Sequence, residues 1–247
     1  MINHSNKNTI MVTRLKSRIK YFILKITGKF SYIKKGVKCK YLWYGNRYGG
    51  FYICPEFLDK NAVVYSFGIG EDISFDRAVI NNHDCHVFGF DPTPKSIGWI
   101  NRQKVPGKFH FYGFGISDKS GFADFYLPKN PEYVSGSIIK QKNVDLMKKV
   151  SVEMKSIKDI MNELGHQHID VLKMDIEGSE YAVIENILDA KISMTQILIE
   201  FHSRFIEDGE HKTAQIIAKL KSNGYEIFGI SDSFEEISFI NKNAFRH

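Results

Sequence analysis

The sequence predicts an α/β fold: a mostly parallel sheet with helices on both faces, ending in a C-terminal antiparallel hairpin. Three observations carry this. From residue 49 onward, short apolar runs of strand length alternate with amphipathic stretches of helix length, the signature of strand–helix–strand units. The last two apolar runs, 225–230 and 236–240, are separated by only five residues; no crossover helix fits there, so the two must pair antiparallel. The chain has 247 residues, 43% hydrophobic and 25% charged, which suits one large globular domain.

Taken in order, residues 62–67 read as a buried strand running into Gly68-Ile69-Gly70, followed by a helix to about Asn81. Residues 86–90 form a second strand ending at Asp91-Pro92, 94–103 a helix, and 109–115 a third strand. A helix at 157–164, a strand at 169–174, a helix at 179–188 and a strand at 195–201 follow. The helix 212–222 stops at Asn223-Gly224, a favourable C-terminal pair. Between 121 and 150 the pattern is weak. Residues 123–127 fit an extra strand, and the Pro, Gly, Ser and Asn of 129–137 suggest a loop that covers substrate.

The net charge of +6 is an average over two unlike regions. Twelve Lys or Arg and no acidic residue lie in 1–48; the rest holds 22 basic and 28 acidic residues, a net of −6. The chain therefore divides into a basic N-terminal segment, 1–48, and a mildly acidic domain, 49–247. Within the segment Val12, Leu15, Ile19, Phe22, Ile23 and Ile26 recur at helical spacing, with Arg14, Lys16, Arg18, Lys20 and Lys25 on the other face. Such a helix either packs its stripe onto the domain or lies on an anionic membrane surface. No apolar run is long enough to span a bilayer, and the polar start lacks a secretory pattern. Cys39, Cys54 and Cys85 are odd in number and unpaired in spacing, which excludes a disulfide framework or zinc motif. The expected location is cytoplasmic, with the helix able to touch the inner face of the membrane.

In an open α/β sheet, ligands bind beyond the carboxyl ends of the strands. Strand one ends in Ser66-Phe67-Gly68-Ile69-Gly70-Glu71-Asp72, where glycines let a ligand approach the backbone. Strand two ends in Asp91, whose carboxylate can accept from ribose hydroxyls. A dinucleotide fingerprint would continue to a third glycine, and Glu71 and Asp72 would repel a pyrophosphate, so a cofactor without phosphates fits better. Ser117 and Asp118 follow strand three, where an adenine would lie. Strand four ends in Asp175, Glu177 and Glu180, and strand five in Glu200-Phe201-His202; adjacent strands would bring Asp175, Glu177, Glu200 and His202 near one another. Acidic residues this dense at a sheet edge are hard to explain as packing.

The stretch Asp170-Val-Leu-Lys-Met-Asp-Ile-Glu-Gly-Ser-Glu-Tyr181 resembles the signature of FkbM-type methyltransferases. Glu200-Phe-His202, Tyr48-Gly-Gly50 and Ser66-Phe-Gly-Ile-Gly-Glu-Asp-Ile-Ser-Phe-Asp76 are similar to other parts of that family, and the likeness spans about residues 44–242. It implies a Rossmann-like class I methyltransferase sheet, S-adenosylmethionine as donor, and a hydroxyl of a sugar, glycan or other small natural product as acceptor. It also matches the family's strand-four acids to Asp175 and Glu177 and its strand-two acid to Asp91. Ser66 stands where the family has an acid before the first glycine, and Asp72 where it has a third loop glycine. The expected cofactor contacts are thus Ser66, Phe67, Gly68, Gly70, Glu71, Asp91, Ser117, Asp118 and Asp175, and the expected catalytic residues His202, Glu177 and Asp175. A hydroxyl acceptor needs a base, and an unperturbed imidazole titrates near neutrality, which favours His202. A divalent cation held by these groups is the less favoured alternative. The rival functions are a nucleotide-binding oxidoreductase on a similar sheet and a catalytically inactive interaction domain. Nucleic acid is not an expected partner, since the main domain is acidic and lacks an Asn-Pro-Pro-aromatic motif.

Overall fold

Two apolar layers sandwich a seven-stranded sheet in the computed structural model, which describes residue 28 and residues 30–130, 136–141 and 143–246. The helix expected over 12–26 lies outside the described residues. Among the described residues there are twelve strands: β1 (Leu42–Tyr44), β2 (Phe51–Ile53), β3 (Val63–Phe67), β4 (His86–Phe90), β5 (Phe109–Tyr112), β6 (Gly115–Ile116), β7 (Gly121–Pro128), β8 (Val144–Lys155), β9 (Ile169–Met174), β10 (Met194–Glu200), β11 (Tyr225–Ile230) and β12 (Glu236–Asn241). The α-helices are α1 (Ser74–His83), α2 (Pro94–Ile100), α3 (Ile157–Leu164), α4 (Glu180–Asp189) and α5 (Gly209–Ser222).

The main sheet runs β11-β12-β10-β9-β3-β4-β5. Every pairing is parallel except those of β12, which is antiparallel to both β10 and β11. This is the Rossmann-like methyltransferase layout expected from the sequence, with one detail added: the last strand inserts between β10 and β11. Side-chain alternation along each strand feeds the two layers. Tyr65, Phe67, Phe90, Leu172, Met174 and Ile199 face the layer covered by α3, α4 and α5. Val64, Val87, Val171 and Leu198 face the layer covered by α1, α2 and the β1–β2 hairpin. Burying each such side chain contributes about 1.5–3 kcal/mol.

Local signals set the helix ends. Thr93 and Ser156 each accept a backbone N–H as N-caps, of Ser96 and Asp159 respectively, and Gly165 ends α3 in the left-handed region. Helix α2 stops at Ile100 rather than 103, because the chain turns there through Asn101 to Gln103.

Three features depart from expectation. The run 109–115 divides: β5 belongs to the main sheet, whereas β6 pairs with β8 in a separate three-stranded sheet, β6-β8-β7. The weakly patterned region holds a long antiparallel ribbon, β7 with β8, whose inward side chains Phe125, Val152 and Met154 form a small core of their own. Its outer face is solvated and mixes charged residues with the exposed Phe122 and Met147, so no clean alternation of apolar and polar residues marks it. A hairpin, β1–β2, straddles residue 49 and lies across the sheet, tied by the Gln196 side chain to the backbone of Cys54 and by Ser238 to the carbonyl of Tyr52. Among the described residues no helix is long and apolar enough to cross a membrane.

Candidate active site

The strand order reverses between β3 and β9, and a cleft opens above their carboxyl ends. Its floor is the turn after β3. Gly68 and Gly70 have φ of +78° and +56°. A Cβ on Gly68 would stand 1.7 Å from the Asp175 carbonyl oxygen, so the two strand ends can meet only through glycine. From beneath, Lys173 Nζ donates to the carbonyls of Gly68 (2.9 Å) and Phe67 (3.3 Å). Lys173 pairs in register with Ser66 on β3, and its charge opposes the burial that raises the Asp76 carboxyl to about 6.

Asp91 ends β4 inside the cleft and is buried. Its Oδ1 accepts from the Thr93 amide (2.9 Å) and hydroxyl (2.6 Å), and its Oδ2 from the Gly70 amide (2.9 Å). Burial raises its pKa against those bonds. Opposite lie apolar walls: Phe90, Ile116, Phe125, Ile138 and Met154. The cleft encloses about 680 Å³ counted out into solvent, within the usual range for small-molecule sites.

At one rim sits a cluster built from β9, α4 and β10. His202 is 1% exposed. Its Nδ1 lies 2.7 Å from Glu180 Oε1, and that carboxylate, wholly buried at the start of α4, also accepts from the Gly178 amide (3.1 Å). The Nε2 lies 3.6 Å from Asp175 Oδ1 and 3.5 Å from both Glu177 Oε2 and Glu200 Oε1. Burial alone would lower the His202 pKa; Glu180, Asp175 and Glu177 overcome it and raise it to about 10. Glu200 is raised to about 9, by burial first and then by the charge of Asp175. Glu177 has φ of +51°, an uncommon conformation for a residue with a side chain, of the kind that recurs at functional sites. Its carbonyl is clamped by Ser137 Oγ (2.7 Å) and Gln141 Nε2 (3.2 Å).

With this geometry in hand, comparison with known proteins is decisive. The Methyltransferase FkbM domain family matches residues 59–227, the region from just before β3 through the first half of β11. The chain belongs to the FkbM methyltransferase family. Human "Probable methyltransferase-like protein 24" is 27% identical over 154 residues, 62% of this chain and 36% of that protein; the rat protein of the same name aligns equally well. The chain thus spans about a third of the length of those two relatives. The "2-O-methyltransferase NoeI" of Sinorhizobium fredii (strain NBRC 101917 / NGR234) is 25% identical over 180 residues, 67% of this chain and 74% of its own.

In this FkbM methyltransferase the sequence-predicted residues fall into two groups. Phe67, Gly68, Gly70, Asp91, Asp175 and Glu177 line the cleft, and His202 and Glu200 stand beside the last two. The others lie apart. Ser66 is buried on the opposite side of β3, facing the Lys173–Asp76 layer, because strand alternation turns it away from Phe67. Glu71 is exposed and pairs at 3.9 Å with Lys95. Ser117 bonds to Asp118 in an exposed turn beyond β6, while Gly115 and Ile116 line the cleft instead. Asp72, read as hostile to phosphate, instead accepts from the Ser74 amide at the start of α1 and from Asn46 of the hairpin turn. Glu180, Asp175 and Glu177 push the His202 imidazole above the ordinary histidine range, against the burial that lowers it, so carboxylates stand beside it as alternative proton acceptors. Sequence reasoning missed Thr93, Phe125, Ile138, Met154 and Glu180 as site residues. Glu180 could have been found, since it lies in the quoted motif; the ribbon residues had no signal.

Proposed function

We propose that this chain transfers a methyl group from S-adenosylmethionine to a hydroxyl of a sugar, glycan or similar small natural product. The observation that carries the reading is the junction of two unlike surfaces at one rim: an apolar cleft with a buried acceptor, Asp91, opening directly onto the Asp175–Glu177 acids. Among the described residues that line the cleft none is Lys or Arg, which favours a cofactor without phosphates. The buried Asp91 carboxylate at the cleft suits a ribose hydroxyl, the apolar walls around Ile116 and Met154 suit an adenine, and the glycine turn that lines the cleft suits the amino-acid end.

When bound, S-adenosylmethionine supplies a methyl already activated by its sulfonium. What remains for the protein is alignment, exclusion of water and removal of one proton. Glu177 and Asp175 face the cleft as acceptors for that proton, and His202, held by Glu180, stands beside both. The printed name of the Sinorhizobium relative, a 2-O-methyltransferase, favours an oxygen acceptor.

Calorimetry should detect S-adenosylhomocysteine binding, weakened by about 1.5–3 kcal/mol in Asp91→Ala. Incubation with donor and a glycan panel, read by mass spectrometry, should reveal a methylated product. Tight NADH binding with no S-adenosylhomocysteine binding would sink the assignment.

A further inference from the structure

We propose that Asp175, Glu200 and His202 hold a divalent transition-metal cation, of which Mn²⁺ is the representative probe, at the rim of the cleft. The three residues present one imidazole nitrogen and two carboxylate oxygens within 4.8 Å of one another. Mixed nitrogen and oxygen donors of this kind suit first-row divalent ions better than Mg²⁺ or Ca²⁺, which favour all-oxygen shells.

The spacing around Nε2 separates this from simple ion pairing. A charge-assisted N–H···O bond closes to about 2.7–2.9 Å, and Nδ1 of the same ring does so with Glu180 at 2.7 Å. Nε2 does not. Its neighbours stand off at 3.5–3.6 Å. Two donors bound to one cation at about 2.1 Å lie about 3.0–3.4 Å apart across an octahedral or tetrahedral edge. The Asp175 and Glu200 oxygens thus stand from Nε2 a few tenths of an ångström beyond such an edge, and the three ligand atoms lie within 4.8 Å of one another.

A second observation is independent of that spacing. His202 is almost wholly buried, and its other nitrogen is fixed by Glu180, itself wholly buried and anchored by the Gly178 amide. A carboxylate behind an imidazole is the usual support of a metal-binding histidine: it sets the ring and aims the far nitrogen. Here it aims Nε2 into the acids. Four carboxylates against one imidazole also leave a surplus of negative charge that a divalent ion offsets.

The role of such an ion rests on the proposed function, although its binding does not. Asp175 borders the cleft, so an acceptor hydroxyl there can reach the ion and become more acidic. The O–H proton then passes to Glu177, the oxygen lone pair forms the new bond to the methyl carbon, and the electron pair of the broken carbon–sulfur bond stays on sulfur.

The test uses the full chain, freed of metal by chelation and dialysis, with Mn²⁺ titrated and the free-ion paramagnetic resonance signal recorded. One Mn²⁺ per chain is expected, with a raised melting temperature. Glu200→Gln and His202→Ala should each weaken binding on the order of 100-fold, and Glu180→Gln by about 10–100-fold, while Asp91→Ala leaves it unchanged. Circular dichroism confirms folding, and the near-isosteric Glu200→Gln guards against collapse of the His202 variant. Absence of saturable binding, or equal binding by folded wild type and Glu200→Gln, overturns the site. S-adenosylhomocysteine binding on the same samples separates the two readings: its presence without Mn²⁺ binding defeats only this inference, and the reverse defeats only the proposed donor.

Discussion

Strand β9 carries two buried charge clusters, and they are built on opposite plans. Beneath the glycine turn, Lys173 faces Asp76 and Ser66: one cation, one carboxylate and one hydroxyl, sealed between the sheet and α1. Above the turn, two residues further on, Asp175 joins Glu177, Glu180, Glu200 and His202, with one imidazole among four carboxylates. The first is balanced and closed; Lys173 spends its hydrogen bonds on the backbone it supports. The second is unbalanced and borders the cleft. A buried excess of one sign costs free energy unless a proton, as on Glu200, or an outside ion completes the set. On the proposed function, the lower cluster serves structure and the upper one chemistry.

The largest expected effect lies in the upper cluster. Glu177→Gln should lower methyl transfer on the order of 10²–10⁴, the usual consequence of losing a general base, with S-adenosylhomocysteine affinity and melting temperature little changed. Should the variant instead unfold early and keep its turnover per folded molecule, the two clusters are of one kind and the comparison breaks.

Lys173 supplies the converse. Lys173→Met leaves Asp76 buried without its counter-charge, a change that typically destabilises by about 3–5 kcal/mol. Urea unfolding measures it, and the double variant with Asp76→Asn should recover much of the loss. A cost below about 1 kcal/mol, the range of exposed pairs, would show that Lys173 does not balance Asp76.

These clusters also mark how far the sequence could be read. Apolar runs place elements well: the strands Ile169–Met174 and Tyr225–Ile230 and the helix Ile157–Leu164 agree with expectation to the residue, because the strands are buried in near-continuous apolar runs and the helix shows apolar residues at spacings of three and four. Strand Val144–Lys155 was invisible, since its solvent face is filled with Lys, Ser and Glu and its apolar partners come from a distant strand. Each strand of the β1–β2 hairpin has only three residues, too short for any period to register. Within the site, Asp175, Glu177, Glu200 and His202 could be grouped from strand ends alone. Ser66 could not be placed, because which face a strand residue takes depends on the register of β3 against β9. Nor could the His202 charge state be read, since it depends on Glu180, which in sequence looks like any acid in the first turn of a helix.

The smallest effect concerns pH and sharpens the assignment of the lower cluster. Asp76 is fully enclosed, and burial raises its carboxyl from 3.8 to about 6, against the lowering influence of Lys173 and Ser66 and with a small further rise from Asp72. For an acid whose folded pKa lies above its unfolded one, the unfolded state releases its proton first as pH rises. The stability due to Asp76 is thus fully present below about pH 4 and is lost as pH climbs through 6. A shift of this size corresponds to about 3 kcal/mol as an upper figure, at 1.36 kcal/mol per unit. Other acids titrate in the same window, so the difference between wild type and Asp76→Asn isolates the effect. Unfolding free energies from pH 4 to 7 should show the variant gaining on the wild type by up to that amount. The pH dependence of methyl transfer, by contrast, should keep its shape in the variant, because Asp76 does not border the cleft. A flat stability difference would mean that Lys173 holds Asp76 ionised throughout, making the lower cluster a true ion pair; a displaced activity profile would join the two clusters electrostatically and remove the division between them.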